Sequence, residues 1–196
     1  MNLPNKITIS RIFLTFIFML FLFSKGVMFK ALALVTFIIA ALSDLLDGYF
    51  ARKYNVTTDL GKLLDPIADK ILVLAAFLAF VELKLVPAWM VLLVIIRELI
   101  ITSIRILALT KKKVIPASQG GKHKTVSQTV AIIAILSFLV LREVGIKKFG
   151  FWTPMFECYF IWLIFTLMLI TVSLTLTSGI SYLVKNRDIF LSAENN

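Results

Sequence analysis

Long apolar runs separated by short polar links fill almost the whole chain. Hydropathy and helix-breaking residues predict six helices, at about 7–23, 29–51, 64–83, 87–109, 125–142 and 156–184. A helix needs roughly 18 or more apolar residues to cross about 30 Å of hydrocarbon. We therefore expect an all-α integral membrane protein with six transmembrane helices, forming a single domain over residues 1–196. A short N-terminal segment around Pro4 is expected to lie at the membrane interface.

The composition excludes an ordinary soluble domain, because 60% of the residues are hydrophobic and only 16% are charged. Lys6 and Arg11 precede the first apolar run, as in a signal peptide, but no small-residue cleavage site follows. We interpret this run as the first membrane helix. Cys158 is the single cysteine, so an intramolecular disulfide is excluded.

The net charge of +10 comes from Lys and Arg residues at the ends of apolar runs, not from one basic stripe. This distribution argues against nucleic acid and favours anionic lipid head groups and phosphorylated substrates as partners. Most of the 21 Lys and Arg residues fall on the side that holds both termini and the links between helices two and three and between four and five. The positive-inside rule places that side in the cytoplasm of a multi-pass cell-membrane protein. Gly120 and Gly121 are predicted to lie in the second of these links.

Four aspartates lie at the facing ends of the second and third predicted helices. Asp44 and Asp47 are spaced i, i+3 and Asp65 and Asp69 are spaced i, i+4, so each pair shares one helix face. A short turn from about Lys53 to Lys62 can bring the pairs together. Carboxylate oxygens suit Mg²⁺ or Mn²⁺, and four of them can hold two ions. The alternative is a set of solvated helix ends with incidental salt bridges to Arg52, Lys62 and Lys70.

The aspartates belong to a longer pattern, Asp44-x2-Asp47-Gly48-x2-Ala51-Arg52, eight residues, then Gly61-x3-Asp65-x3-Asp69. This pattern resembles the full signature of the CDP-alcohol phosphotransferase family. The resemblance implies a membrane enzyme, commonly a homodimer, in which a CDP-linked lipid donates its phosphatidyl group to an alcohol and CMP leaves. It further implies that the four aspartates ligate two divalent ions, Mg²⁺ or Mn²⁺, and that Asp69 is also the general base. Gly48, Arg52 and Gly61 then resemble contacts to the CDP-lipid.

Further motifs resemble the phosphatidylglycerophosphate-forming branch of the family, which uses CDP-diacylglycerol and sn-glycerol 3-phosphate. They are Pro4-Asn5-x-Ile7-Thr8-x2-Arg11, the Arg97-Glu98 pair with Arg105 after it, and Gly121-Lys122-x-Lys124-Thr125-x2-Gln128. Because that acceptor is an anion, its pocket needs cations, and the candidates are Arg11, Arg105, Lys122 and Lys124. Each of these residues can instead be a positive-inside marker. Arg97 and Glu98 fall inside the fourth span, where we expect them to pair with neighbours or line a cavity.

Two other interpretations remain open. Another member of the same family would accept serine, inositol phosphate or phosphatidylglycerol. A divalent-cation transporter would also cluster carboxylates inside a membrane. A transport path should continue polar residues across the bilayer, whereas the outer halves of these spans are almost entirely apolar, which favours a one-sided pocket. A non-catalytic scaffold would leave the four acids without a role.

Overall fold

A computed structural model describes the backbone of residues 3–54, 59–110, 119–146 and 152–185, and the side chains of residues 10–43, 70–104, 124–146 and 152–185. This part of the chain is helical and contains no strand, which confirms the predicted all-α class. Its six helices are α1 Leu3–Phe23, α2 Val27–Tyr54, α3 Asp59–Glu82, α4 Ala88–Thr110, α5 Gln119–Val144 and α6 Pro154–Lys185.

The predicted helices were correct in order but too short at several ends. α1 already begins at Leu3, so the residues expected to form a separate N-terminal segment are its first turn. Pro4 is accepted there because the first N–H groups of a helix have no intrahelical acceptor. α3 begins at Asp59 and continues through Pro66, so the predicted turn from Lys53 to Lys62 is wrong and only residues 55–58 separate α2 from α3.

The fifth helix also begins earlier than its apolar run. α5 starts at Gln119, so Gly120 and Gly121 lie in its first turn and the prediction that they form a loop is wrong. Both glycines are poor helix formers in a helix interior, but the first turn demands less of them because its N–H groups are unsatisfied in any case.

Two helical segments of the described chain are long and apolar enough to cross a membrane, Lys124–Val144 and Pro154–Lys185. Ser10–Phe23 and Val27–Ser43 are apolar but shorter. Large apolar side chains also cover the outer surface: Phe13, Phe16 and Leu20 are 65%, 66% and 69% exposed. Such a surface is stable against lipid and costly against water. Six membrane crossings remain a prediction.

The helices pack around a large apolar core, and a smaller apolar cluster joins Ile101 and Ile104 of α4 to Tyr182 of α6. α1 packs against α2 and α3, α5 packs against α2 and α6, and α4 contacts α3 and α6. Phenylalanines from four helices occupy the centre and are fully buried or nearly so: Phe18, Phe37, Phe77, Phe80 and Phe138. The rings of Phe18 and Phe37 lie 5.8 Å apart between centroids, which fixes the α1–α2 contact.

A three-residue link joins α1 to α2. Gly26 has a φ of 118°, a backbone conformation that side chains with a Cβ rarely adopt. From the first turn of α2, Lys30 Nζ donates a hydrogen bond of 2.5 Å to the carbonyl oxygen of Leu22 at the end of α1. The last carbonyl oxygens of a helix have no N–H donor within that helix, and this bond supplies a donor to one of them in α1.

α4 and α6 approach closely at Gly179. A Cβ placed on Gly179 would lie 3.0 Å from Arg97 Cγ and 3.3 Å from Arg97 Nε. The Arg97 side chain therefore crosses α6 where that helix has no side chain. Its Nη2 donates a hydrogen bond of 2.9 Å to Ser178 Oγ.

Replacing Gly26 by alanine should destabilise the protein by about 1–3 kcal/mol, the cost of holding an ordinary residue in an unfavourable backbone conformation. A Cβ at this position would meet no atom within 4 Å, so the effect would come from the backbone alone. The midpoint of thermal unfolding in detergent micelles measures it. Lys25→Ala, at the exposed neighbouring residue, is the control, and an unchanged midpoint for Gly26→Ala would contradict the assigned strain.

Gly179→Val should also destabilise the protein, by about 1–3 kcal/mol, because the added methyl groups would overlap the Arg97 side chain. Ser173→Val introduces the same side chain on the exposed face of α6, away from Arg97, and should have little effect. Equal unfolding midpoints for the two variants would show that α4 and α6 do not pack closely at Gly179.

Candidate active site

The signature residues lie on two consecutive helices. α2 carries Asp44, Asp47, Gly48 and Arg52, and α3 carries Gly61, Asp65 and Asp69. The backbone is helical through all of these positions, as their spacing requires. Their side chains lie outside the described residues, so the carboxylate cluster stays a prediction. Among the side chains that are described, no group of three His, Cys, Asp or Glu residues is placed to bind a metal.

Immediately after the last signature aspartate, Lys70 reaches across to α4. Its Nζ lies 2.7 Å from Glu98 Oε2 and donates a further hydrogen bond of 2.5 Å to Thr102 Oγ1. The Thr102 hydroxyl donates in turn to the carbonyl oxygen of Glu98 at 2.7 Å. The aspartate-bearing part of α3 is thereby fixed to α4.

The other oxygen of the same carboxylate binds α5. Lys124 Nζ donates to Glu98 Oε1, and Gln128 Nε2, one turn further along α5, donates to the same oxygen at 3.3 Å. The Glu98 and Lys124 side chains are only 5% and 6% exposed. Glu98 therefore joins α3, α4 and α5 through one buried carboxylate.

Arg97 completes this arrangement from the side of α6. Its Nη1 lies 3.6 Å from Glu98 Oε1, while its Nη2 is bonded to Ser178. We name Lys70, Arg97, Glu98, Lys124 and Gln128 the Glu98 cluster. It confirms the expectation that Arg97 and Glu98 pair with their neighbours.

The Glu98 cluster is energetically demanding, because charged groups in a low-dielectric interior lose their hydration. Removing one partner of such a buried ion pair typically costs about 3–5 kcal/mol, since the other charge is left without compensation. Three cationic side chains lie within 4.0 Å of the one carboxylate. A site that gathers ammonium and guanidinium groups in this way is suited to an anionic ligand.

The four predicted acceptor-binding residues are described to different extents. Lys124 lies in the Glu98 cluster. Arg11 is buried in α1, at 4% exposure, and its carbonyl oxygen accepts a hydrogen bond from Thr15. Arg105 belongs to α4 and Lys122 to α5, but their side chains lie outside the described residues. Contact of any of them with a substrate stays a prediction.

Lys70, Thr102 and Ser178 belong to the site, although their positions in the sequence did not predict this. Lys70 was considered only as an incidental salt-bridge partner of the aspartates. A usable signal exists, since Glu98 is the only acidic residue between Glu82 and Glu143. Cationic side chains inside the neighbouring helices would therefore all need Glu98 as their counter-ion.

A second ion pair lies apart from the Glu98 cluster, near the α5–α6 link. Arg142 Nη2 is 2.6 Å from Glu157 Oε1, and the two side chains are 40% and 33% exposed. A partly exposed pair of this kind contributes about 0–1 kcal/mol. It offers a matched comparison for Glu98, because it joins helices without being buried.

Residues 1–177 match the family model of CDP-alcohol phosphatidyltransferase. A protein named CDP-diacylglycerol–glycerol-3-phosphate 3-phosphatidyltransferase from Bacillus subtilis (strain 168) is 42% identical over 147 residues, covering 69% of this chain and 76% of that protein. Proteins of the same name from Rickettsia typhi and Mycoplasma pneumoniae are 38% and 35% identical, covering 74% and 67% of this chain and 79% and 66% of their own lengths. The signature on α2 and α3 and the match over most of its length show that this chain belongs to the CDP-alcohol phosphatidyltransferase family of transferases.

Proposed function

We propose that this enzyme is a phosphatidylglycerophosphate synthase, which transfers the phosphatidyl group of CDP-diacylglycerol to sn-glycerol 3-phosphate and releases CMP. The relatives described above carry the name of this activity. The observation that carries the proposal in the structure is the buried Glu98 cluster. It holds Lys124, one of the predicted acceptor-binding residues, together with Lys70 and Arg97.

The cluster supports a phosphorylated acceptor. Glycerol 3-phosphate carries two negative charges near neutral pH, so its binding requires cations beyond those that handle the donor. Lys70 follows Asp69 directly in α3, which puts the cationic cluster beside the signature in the chain. Arg11, Arg105 and Lys122 are proposed to complete the pocket.

The donor is proposed to bind at the signature. Mg²⁺ and Mn²⁺ prefer carboxylate oxygens as ligands, so Asp44, Asp47, Asp65 and Asp69 are proposed to hold two such ions. Ions held there would neutralise the diphosphate and stabilise the departing CMP. Gly48 and Gly61 leave room for close approach to the nucleotide, and Arg52 is proposed to bind a phosphate oxygen.

The proposed reaction is a substitution at the phosphatidyl phosphorus. A hydroxyl oxygen of glycerol 3-phosphate forms a bond to that phosphorus, and the bond from phosphorus to the bridging oxygen of CMP breaks. Asp69 accepts the proton of the attacking hydroxyl. The products are phosphatidylglycerophosphate and CMP.

The proposed enzyme spans the cell membrane six times, with both termini and the signature on the cytoplasmic side. The exposed apolar side chains of α1 and the two long apolar segments in α5 and α6 support a membrane location, and the distribution of Lys and Arg residues supports the orientation. A lipid donor and a soluble acceptor can then meet at the membrane surface. A homodimer is part of the proposal on the strength of the family resemblance.

An acceptor panel tests the substrate assignment. Purified enzyme with CDP-diacylglycerol and Mg²⁺ or Mn²⁺ should release CMP when glycerol 3-phosphate is added, and should release little with serine, inositol phosphate or phosphatidylglycerol. CMP release and the lipid product are measured together. Turnover with serine but not with glycerol 3-phosphate would assign the enzyme to another branch of the family.

Asp65→Asn should reduce CMP release by about a hundredfold or more, because metal coordination supplies several kcal/mol of transition-state stabilisation. Removing divalent ions with a chelator should abolish turnover in the wild type, and added Mg²⁺ or Mn²⁺ should restore it. Asp59→Asn, outside the signature on the same helix, is the control. Asp65-dependent metal uptake into vesicles without CMP formation would support the transporter instead.

A further inference from the structure

The carboxylate of Glu98 occupies a central position that the proposed chemistry does not use. Lys70 approaches one of its oxygens at 2.7 Å, and Lys124 and Gln128 bind the other. The two ammonium groups come from α3 and α5, whereas the carboxylate comes from α4. Two like charges are thereby held close together by a single acid placed between them.

A buried lysine such as Lys124 would not stay in this place without compensation. A lysine has a long flexible chain and ordinarily moves its ammonium group to water at the membrane interface. Lys124 is nevertheless buried, with 5% of the residue exposed. Attraction to Glu98 is the contact that opposes its movement out of the bundle.

Neighbouring polar groups further restrict the geometry. Thr102 accepts a hydrogen bond from Lys70 and donates one to the Glu98 backbone, so that the ammonium group is held at two points on α4. Gln128 binds the same oxygen as Lys124, and Arg97 is held by Ser178 on α6. The separation of the two ammonium groups is therefore set before any ligand binds, which lowers the cost of ordering them on binding.

We propose that Glu98 is a positioning residue for acceptor binding, which holds Lys70 and Lys124 as a preformed anion site without itself contacting the substrate. This inference rests on the proposed function, since it assumes a phosphorylated acceptor. It assigns the acid of the Arg97-Glu98 pair a role in acceptor affinity, distinct from the metal-binding role of the aspartates.

Steady-state kinetics of Glu98→Gln tests the proposal. Glutamine keeps the size and one acceptor oxygen but removes the charge that retains the lysines. The KM for glycerol 3-phosphate should rise about tenfold or more, while kcat and the KM for CDP-diacylglycerol should change by less than about threefold. Glu157→Gln removes the acid of the partly exposed pair with Arg142 and should leave all three values unchanged.

The opposite result is equally informative. If Glu98 mainly competed with the acceptor for the lysines, its neutralisation would free them and lower the KM for glycerol 3-phosphate. A lower or unchanged KM would overturn the proposal. Wild-type enzyme that releases no CMP with glycerol 3-phosphate would instead refute the proposed function, so the two failures are distinguishable.

A conservative variant and a double-mutant cycle separate positioning from a purely structural role. Glu98→Asp keeps the charge on a shorter chain and should recover part of the lost acceptor affinity. If Glu98 acts through the lysines, Glu98→Gln should add much less than tenfold to the KM of a Lys124→Gln enzyme. Full additivity would overturn the proposal, as would a Glu98→Asp enzyme that binds acceptor no better than Glu98→Gln. If Glu98→Gln itself folds poorly, Glu98→Asp compared with the wild type still tests the proposal, because the shortened acid should raise the KM for glycerol 3-phosphate several-fold with little change in kcat or in the KM for CDP-diacylglycerol, and an unchanged KM for glycerol 3-phosphate would overturn it.

Discussion

The relative placement of α3, α4 and α5 depends on the ion pairs of Glu98. A charge in an apolar bundle is tolerated only where an opposite charge meets it, so the positions of Lys70 and Lys124 are tied to that of one carboxylate. Through these contacts α4 holds α3 on one side and α5 on the other. Apolar packing alone would leave the rotation and depth of these helices less restricted, because lipid competes for the same surfaces.

The bundle is divided into regions that differ in chemistry. Its apolar core, with Phe18, Phe37 and Phe80 fully buried, gives the helices a rigid support. The buried face of α6 changes in character along its length, from Ile164 and Met168 to the polar residues Thr171, Thr175 and Ser178. Ser178 accepts a hydrogen bond from Arg97 of α4, and Thr171 donates one to the carbonyl oxygen of Ser127 on α5, so this polar stretch of α6 faces both helices.

The helices were predictable because each contains a long apolar run, a signal that depends on composition and not on contacts. Their ends were less predictable. The polar residues from Asp59 to Lys62 and the glycines at the start of α5 continue helices beyond the apolar runs, where hydropathy carries no signal. The pairing of Arg97 and Glu98 followed from the cost of burying charge. Their partners Lys70 and Ser178 could not be predicted in this way, because helix packing decides which residues distant in sequence come into contact. The aspartate spacing indicates a metal site without any knowledge of packing.

The α1–α2 link has a consequence for how the protein is made. Phe18 contacts Phe37, and Lys30 donates a hydrogen bond to the end of α1, so α1 and α2 are joined by residues that are near in sequence. Contacts of short sequence separation form quickly and need no later part of the chain. The first two helices are therefore equipped to pair as a hairpin before the rest of the chain has been synthesised, and to offer α3 and α5 a surface already in place.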